Sequence, residues 1–328
     1  MKKMDTLTTI TDHHSDIADH LLKTDIEVVQ TPEGNILRKR YLPGKERFFG
    51  AEFDFNRTVE ATGFSKKPKI IAVNEEEREI SMEYFSGINL EVALTQSKTI
   101  NFDKLISLML EETFYLRKAT PEEISHLREI SSQVTSNLTR KYNGSLINRD
   151  YFASVRGLLT TSDRLVSPQR KEQIETMLTK AEVDPVLLRF DPEMSNFLSC
   201  EDGEIRPVDY SIPWVAHPIH NVLYFLSHLD LPRKKTFYNM RNNATNRLYS
   251  VVRNRLKEFF NGTQDVESTI KCAYLDLFAA NFIFDGAPEI SPDQKMNPSY
   301  QDRVNAIIQI VDLSVDELLQ AKMEFRRQ

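Results

Sequence analysis

Leu187–Tyr210 reads LLRFDPEMSNFLSCEDGEIRPVDY. An apolar run (Val186, Leu187, Leu188) meets Arg189-Phe190-Asp191, and Asp191-Pro192 breaks the chain into a loop. A second run, Phe197 to Cys200, reaches Glu201-Asp202-Gly203-Glu204, and Ile205 to Val208 leads to Asp209. Asp-Gly between two short apolar segments predicts a hairpin, because a tight primed turn needs positive φ at its centre. With Asp202-Gly203 as a two-residue turn, Cys200 stands opposite Ile205 and Asn196 opposite Asp209. A side-chain amide and a carboxylate then meet at the open end, and Asp191 enters from the preceding loop. Three oxygen-bearing side chains at a strand end suit Mg²⁺, which takes few protein oxygens together with phosphate oxygens. The plainer reading is a polar loop and a β-hairpin in any mixed domain.

Upstream of this stretch the pattern is strand-rich. Ile26 to Gln30 and Ile36 to Leu42 read as strands around a turn at residues 31–35. Period two puts Leu37, Lys39 and Tyr41 on one face, and Ile36, Arg38, Arg40 and Leu42 on the other. Lys39 thus lies with apolar neighbours, or else snorkels from a sheet edge. Residues 45–62 read as a helix on which Phe48, Phe55 and Val59 share a face with Glu52. A carboxylate in an apolar stripe costs several kcal/mol unless paired. Lys39 is the cation facing that way; the alternative is a glutamate at the rim of a broad apolar face. Lys69 to Val73 and Arg78 to Phe85 form a further hairpin with an acidic tip, continuing into Met82-Glu83-Tyr84-Phe85-Ser86-Gly87-Ile88-Asn89-Leu90.

Downstream, helices dominate. Residues 101–118 are periodic, Thr120-Pro121-Glu122-Glu123 is an N-cap with a capping-box glutamate, and residues 122–140, 150–160 and 167–181 continue the pattern. Pro213 to Pro218 reads as a loop and Asn221 to His228 as the start of a helix. His217 and His220 invite a metal reading, but histidines packed under the loop are favoured. Leu231 to Lys257 carries eight Lys or Arg and no acid. Its apolar residues recur at helical spacing, so a helix with a basic outer face is favoured over a docking surface for an anionic acceptor. Residues 266–283 read as a buried helix, Pro288 to Pro298 as a surface loop, and Ser314 to Glu317 as a capping box.

The composition is ordinary for a globular protein. Net charge is −6, giving no global pull toward nucleic acid or anionic membrane. Nucleic acid as a partner is disfavoured, with segment 231–257 the only hint of it. Two cysteines make neither a disulfide scaffold nor a Cys-rich zinc site. The start, MKKMDTLTTITDHHSD, has no apolar stretch behind its basic residues, and no run approaches the ~18 residues of a membrane span. A cytoplasmic location without membrane insertion is expected. His13-His14 read as a solvated pair.

Asp191-x4-Asn196 followed by a hairpin to Asp209 resembles the Asp-x4-Asn and metal-binding Asp of kinase-fold phosphotransferases, in particular the aminoglycoside phosphotransferase and choline kinase branch. Lys39 and Glu52 are similar to the strand-lysine and helix-glutamate pair of that fold, and residues 82–90 resemble its hinge. These parts stand in the required order over residues 24–228. The resemblance implies an α+β, two-lobed protein-kinase-like fold: a small antiparallel-sheet N-lobe with one helix over residues 1–85, and a large mainly helical C-lobe over 86–328. It implies an enzyme that moves the γ-phosphate of ATP, with Mg²⁺, to a hydroxyl of a small molecule. Asp191 would then orient or deprotonate that hydroxyl. Asn196 and Asp209 would hold the metal, Lys39 fixed by Glu52 would steady the phosphates, and Glu83, Tyr84 and Phe85 would bind the adenine edge.

Three departures stand beside the likeness. Arg189-Phe190 replaces the His-Gly before the catalytic Asp, and a cation there would lower the pKa of Asp191 and could hold an anionic acceptor. Gly34 is the only glycine among the first 43 residues, so the nucleotide-covering loop is not glycine-rich. Tyr210-Ser211 follows Asp209 where protein kinases have Phe-Gly. No Ala-Pro-Glu segment follows soon after, which speaks against a protein kinase. The rival from another class is a catalytically inactive kinase-fold protein that binds a partner; a third reading is an α+β adaptor with no nucleotide site.

Overall fold

The computed structural model describes residues 24–96, 100–141, 153–161, 165–181, 184, 186–189, 194–222, 225, 251–252, 254–260, 265–284, 298–314 and 317. Phe190 and Asp191, His13-His14 and most of the basic segment lie outside the described residues.

Alternation of apolar and polar side chains builds the first sheet. β1 (Thr24–Thr31), β2 (Gly34–Tyr41), β3 (Ile70–Asn74) and β4 (Glu79–Glu83) run antiparallel in the order β1-β2-β4-β3. β1 and β2 join through a two-residue turn, Pro32-Glu33, tighter than the turn the sequence suggests, with Thr31 paired to Gly34 at φ +129°. Residues directly opposite in a ladder share a face. Lys39 therefore stands with Ile80, and Leu37 with Met82, on the inner side. Arg38 and Arg40 point outward to Glu27 and Glu79 at 2.8–3.0 Å, an exposed ladder that adds little stability.

α1 (Glu46–Ala61) packs beneath this sheet and ends where Gly63 takes φ +85°. Its two halves serve different cores. Phe48 and Ala51 join Tyr41, Ile80 and Met82 under the sheet, whereas Phe55 and Val59 enter the large core of the helical part. The helix Pro121–Lys141 divides in the same way, with Leu127 in the large core and Val134 under the sheet. Glu52 lies on α1 at the junction between them.

Beyond Glu83, residues 84–86 belong to no strand, and β5 (Gly87–Asn89) starts a second sheet. The helices that follow are α2 (Leu90–Thr95), α3 (Phe102–Leu116), α4 (Pro121–Lys141), α5 (Ala153–Thr161) and α6 (Pro168–Ala181). β6 (Val186–Arg189), a 3-10 turn at Met194–Asn196, β7 (Phe197–Cys200), β8 (Ile205–Pro207) and β9 (Pro213–Ala216) come next. After them come α7 (Val266–Phe284) and α8 (Pro298–Gln309). The architecture is thus an antiparallel-sheet N-terminal part and a mainly helical remainder, the α+β arrangement read from the pattern. The capping boxes at Thr120 and Ser314 form as expected, with Thr120 N–H donating to the Glu123 carboxylate at 2.7 Å and Ser314 N–H to that of Glu317 at 2.7 Å.

Gly87 has a steric reason to be glycine. A Cβ there would stand 2.7 Å from the Ser199 carbonyl oxygen, so any side chain would push β5 off β7. Two expectations are corrected. Phe197 pairs with Pro207 and Ser199 with Ile205, one residue away from the expected register. The connection is a three-residue loop in which only Gly203 is left-handed (φ +77°), so Asn196 stands beside Val208 and not Asp209. Pro213 to Ala216, expected as a loop, is β9 and pairs with β6. Proline is tolerated there because it occupies the first position of the strand.

His217, just after β9, packs as the sequence favours: it is buried, one ring nitrogen 3.3 Å from the Ala181 carbonyl and the other accepting from Ile219 N–H at 3.3 Å. Burial holds its imidazole down at about 3 against an ordinary 6.5. The unfolded chain therefore takes up a proton below its own pKa while the folded chain does not, and stability falls as pH drops from 6.5 toward 3 by about 1.4 kcal/mol per unit. Between roughly pH 7.5 and 5 the native chain should lose about 2 kcal/mol more than His217→Asn in urea unfolding. An equal loss in both proteins rejects this assignment.

Candidate active site

β2 is an interior strand, so the snorkelling-lysine reading of Lys39 fails. The residue is 7% exposed, and its ammonium sits 2.7 Å from Glu52 Oε2 and 3.5 Å from Asp209 Oδ1. One cation thereby joins a sheet strand, α1 and the segment leaving the β7–β8 hairpin. Glu52 is 1% exposed and also accepts from the Tyr41 hydroxyl, two residues along β2 on the same face. Burial alone would pull the Lys39 ammonium down, but the two carboxylates outweigh it and hold its pKa above the usual lysine value. Burial likewise pushes the Asp209 carboxyl up, and Lys39, Ser211 and Arg189 together bring it below the ordinary aspartate value.

Asp209 has φ +63°, a left-handed conformation that costs a non-glycine residue about 1–3 kcal/mol and persists only where its surroundings impose it. The carbonyls of both neighbouring residues are held: that of Val208 accepts from Arg189 at 2.7 Å, and that of Tyr210 accepts from Asn56 Nδ2 at 3.4 Å. Asn56 lies one turn beyond Glu52 on α1 and donates to the Glu52 carbonyl at 2.8 Å. Its other end is held by Lys67, a 1% exposed lysine that also donates to Glu60 at 2.9 Å and to the Pro68 carbonyl at 3.0 Å. Periodicity brings Tyr41 to the Lys39 face and Asn56 to the Glu52 face, so both were findable. Lys67 sits in Lys66-Lys67-Pro68 with no pattern to mark it.

Asn196 is brought close through its backbone: its carbonyl accepts from Val208 N–H at 2.9 Å and from Arg189 at 3.0 Å. Glu83 closes β4 opposite Ile36, while Tyr84 and Phe85 bridge the two sheets. That bridge is braced from the hairpin, with the Arg206 guanidinium 4.7 Å from the Phe85 ring and Ser86 Oγ donating to Glu201 at 3.2 Å. Arg189 does not face a substrate. It is 1% exposed, lies between the rings of Phe197 and Tyr210 and is paired with Glu112 of α3 at 3.5 Å, so the anion-holding role expected for it is withdrawn.

Asp209 has the makings of a metal ligand. Its side chain is 29% exposed, yet Oδ1 is buried and accepts no hydrogen bond, with the Lys39 ammonium as its long-range partner. Among the described residues no cluster of three His, Cys, Asp or Glu could cage an ion by itself. An orphaned carboxylate oxygen is the kind of group that Mg²⁺ takes beside water and phosphate ligands.

No family model matches the chain, and no curated protein matches it in sequence. Solved structures similar to it include a macrolide 2'-phosphotransferase from Brachybacterium faecium, with 12% identity, 88% of this chain and 89% of that chain covered and a TM-score of 0.48. A choline kinase from Streptococcus pneumoniae shows 12% identity, coverage of 88% and 89% and a TM-score of 0.42. An ethanolamine kinase from Plasmodium vivax shows 9% identity, coverage of 94% and 88% and a TM-score of 0.41.

Removing one partner of a buried ion pair leaves an uncompensated charge and costs about 3–5 kcal/mol, whereas replacing both by apolar groups is often neutral. Lys39→Met should destabilise the chain by about that amount, and Lys39→Met/Glu52→Leu should recover most of it in urea unfolding. Additive losses in the double variant count against the pairing.

Proposed function

We propose that the chain is an ATP-dependent, Mg²⁺-requiring phosphotransferase that acts on a hydroxyl of a small molecule. The observation that carries this reading is the Lys39 ammonium shared between Glu52 and Asp209, a buried cation anchored by one buried carboxylate and facing a second whose side chain is part exposed. Phosphoryl transfer asks little reactive chemistry of the protein: phosphates must be positioned and their charge neutralised. On this reading residues 1–85 form a nucleotide-binding lobe and residues 86–328 carry the catalytic loop and acceptor site. Lys39, held by Glu52, steadies the phosphates. The backbone of Glu83, Tyr84 and Phe85 meets the adenine edge. Asp209 and Asn196 hold Mg²⁺, which when bound neutralises charge on the phosphate oxygens. Asp191 accepts the acceptor's proton or orients its hydroxyl.

Mg·ATP consumption across a library of small alcohols and amino sugars tests the reading. Asp191→Asn should lower turnover by about 10²–10⁴-fold with the fold intact. Lys39→Ala should weaken nucleotide binding, measured by calorimetry. Unchanged turnover in Asp191→Asn removes that residue from the mechanism. Nucleotide binding without turnover on any acceptor favours an inactive kinase-fold binding protein, and no thermal shift with Mg·ATP rejects the nucleotide site altogether.

A further inference from the structure

Arg189 stands where the resemblance leads one to expect a histidine, and it is among the most deeply buried large side chains of the chain. Its environment is odd for a charge. Glu112, its counterion, is 3.5 Å from Nε and itself 1% exposed. Nε and the second terminal nitrogen make no hydrogen bond, and Phe197 and Tyr210 offer ring faces at 4.5 and 5.4 Å. Among the described residues its side-chain hydrogen bonding runs through one nitrogen, Nη1, and both acceptors are backbone carbonyls: Asn196 at 3.0 Å and Val208 at 2.7 Å.

Those two carbonyls belong to the open end of the hairpin. Asn196 is one proposed metal ligand, and the Val208 carbonyl lies in the peptide group that supplies the backbone nitrogen of Asp209, the other. A further bond, Val208 N–H to the Asn196 carbonyl at 2.9 Å, closes the set. Asp209 then departs at φ +63°, which turns its carboxylate toward Lys39. Resting on the phosphotransferase reading above, we propose that Arg189 is a positioning residue for the metal site, clamping the Asn196 and Val208 carbonyls so that both ligands are presented together.

A core arginine kept only for packing or charge would be replaceable by apolar side chains together with Glu112, since a buried ion pair exchanged for well-packed hydrophobics is often neutral or stabilising. A clamp would not. Partners that orient metal ligands typically contribute about 10–100-fold in metal affinity. The variants are Arg189→Met/Glu112→Leu, which removes both charges, and Arg189→Lys, whose ammonium can reach the two carbonyls but loses the fork toward Glu112. The probes are Mn²⁺ in the presence of ADP, followed by electron paramagnetic resonance, and ADP alone, followed by calorimetry in chelator.

The double variant should fold, bind metal-free ADP within about twofold of native and bind Mn²⁺ about tenfold or more weakly, with Arg189→Lys between the two. Native-like Mn²⁺ affinity in the double variant overturns the clamp. So does a parallel loss of ADP and Mn²⁺ binding, the pattern of general structural damage. Should the double variant fail to fold, Arg189→Lys decides: Mn²⁺ weakened with ADP unchanged supports the clamp, and any other pattern rejects it. A native chain that binds neither Mn²⁺ nor ADP defeats the phosphotransferase reading and this proposal with it, whereas native binding with an unaffected double variant defeats this proposal alone.

Discussion

The buried ammonium of Lys39 is the constraint from which the arrangement of the other elements follows. A lone lysine charge in an apolar interior costs several kcal/mol, and only anionic partners delivered to that spot make it tolerable. β2 has no acid of its own on the inner face, so the carboxylates must come from elsewhere in the chain. α1 brings Glu52 and the end of the hairpin brings Asp209, at 2.7 and 3.5 Å. Satisfying one cation thus obliges the sheet, its helix and the helical part to meet at one place. The large core and the core under the sheet also meet along α1, between Ala51 and Phe55. With all three groups ionised the triad carries a net charge of minus one, and one Asp209 carboxylate oxygen is left buried without a hydrogen bond.

A second set of contacts keeps the hairpin in register with the sheet. β5 lies so close to β7 that only glycine fits at position 87. Ser86 and Phe85 touch Glu201 and Arg206 near the hairpin turn, while Asn56 and Arg189 hold the opposite end around Asp209. The hairpin is gripped at its tip by the connector and at its base by α1 and β6. Residues 84–86 are held on both flanks without belonging to a strand.

Much of this was legible because it rests on local periodicity. Alternation on β2 put Lys39 and Tyr41 on the apolar face, and helical spacing put Glu52 among Phe48, Phe55 and Val59. What could not be read depends on distant partners. Arg189 looked like a cation awaiting an anion, since nothing near it in sequence reveals that Glu112 of α3 lies beside it in the interior. Pro213 to Ala216 looked like a loop because proline punctuates locally, while the strand exists through pairing with β6. Lys67 carries no signal at all; its burial depends on Asn56, Glu60 and the ring of Tyr210 converging on it.

The one-residue error in the hairpin is the most instructive of these, because the site depends on the register that was missed. Asp-Gly marks a turn but does not distinguish a two-residue loop, with positive φ at both centres, from a three-residue loop needing it only at the last position. In the two-residue version Asp209 would lie directly opposite Asn196, within the ladder, its backbone extended and its side chain committed to the hairpin's own face. In the three-residue version the pairing ends at Asn196 and Val208, so Asp209 is the first residue beyond it. There it is free of ladder geometry, takes φ +63° and swings its carboxylate to Lys39. The same shift brings the Asn196 and Val208 carbonyls within reach of one arginine nitrogen. A single extra loop residue, permitted by the left-handed glycine at 203, converts a regular hairpin end into a site where two elements can present oxygen to a shared charge.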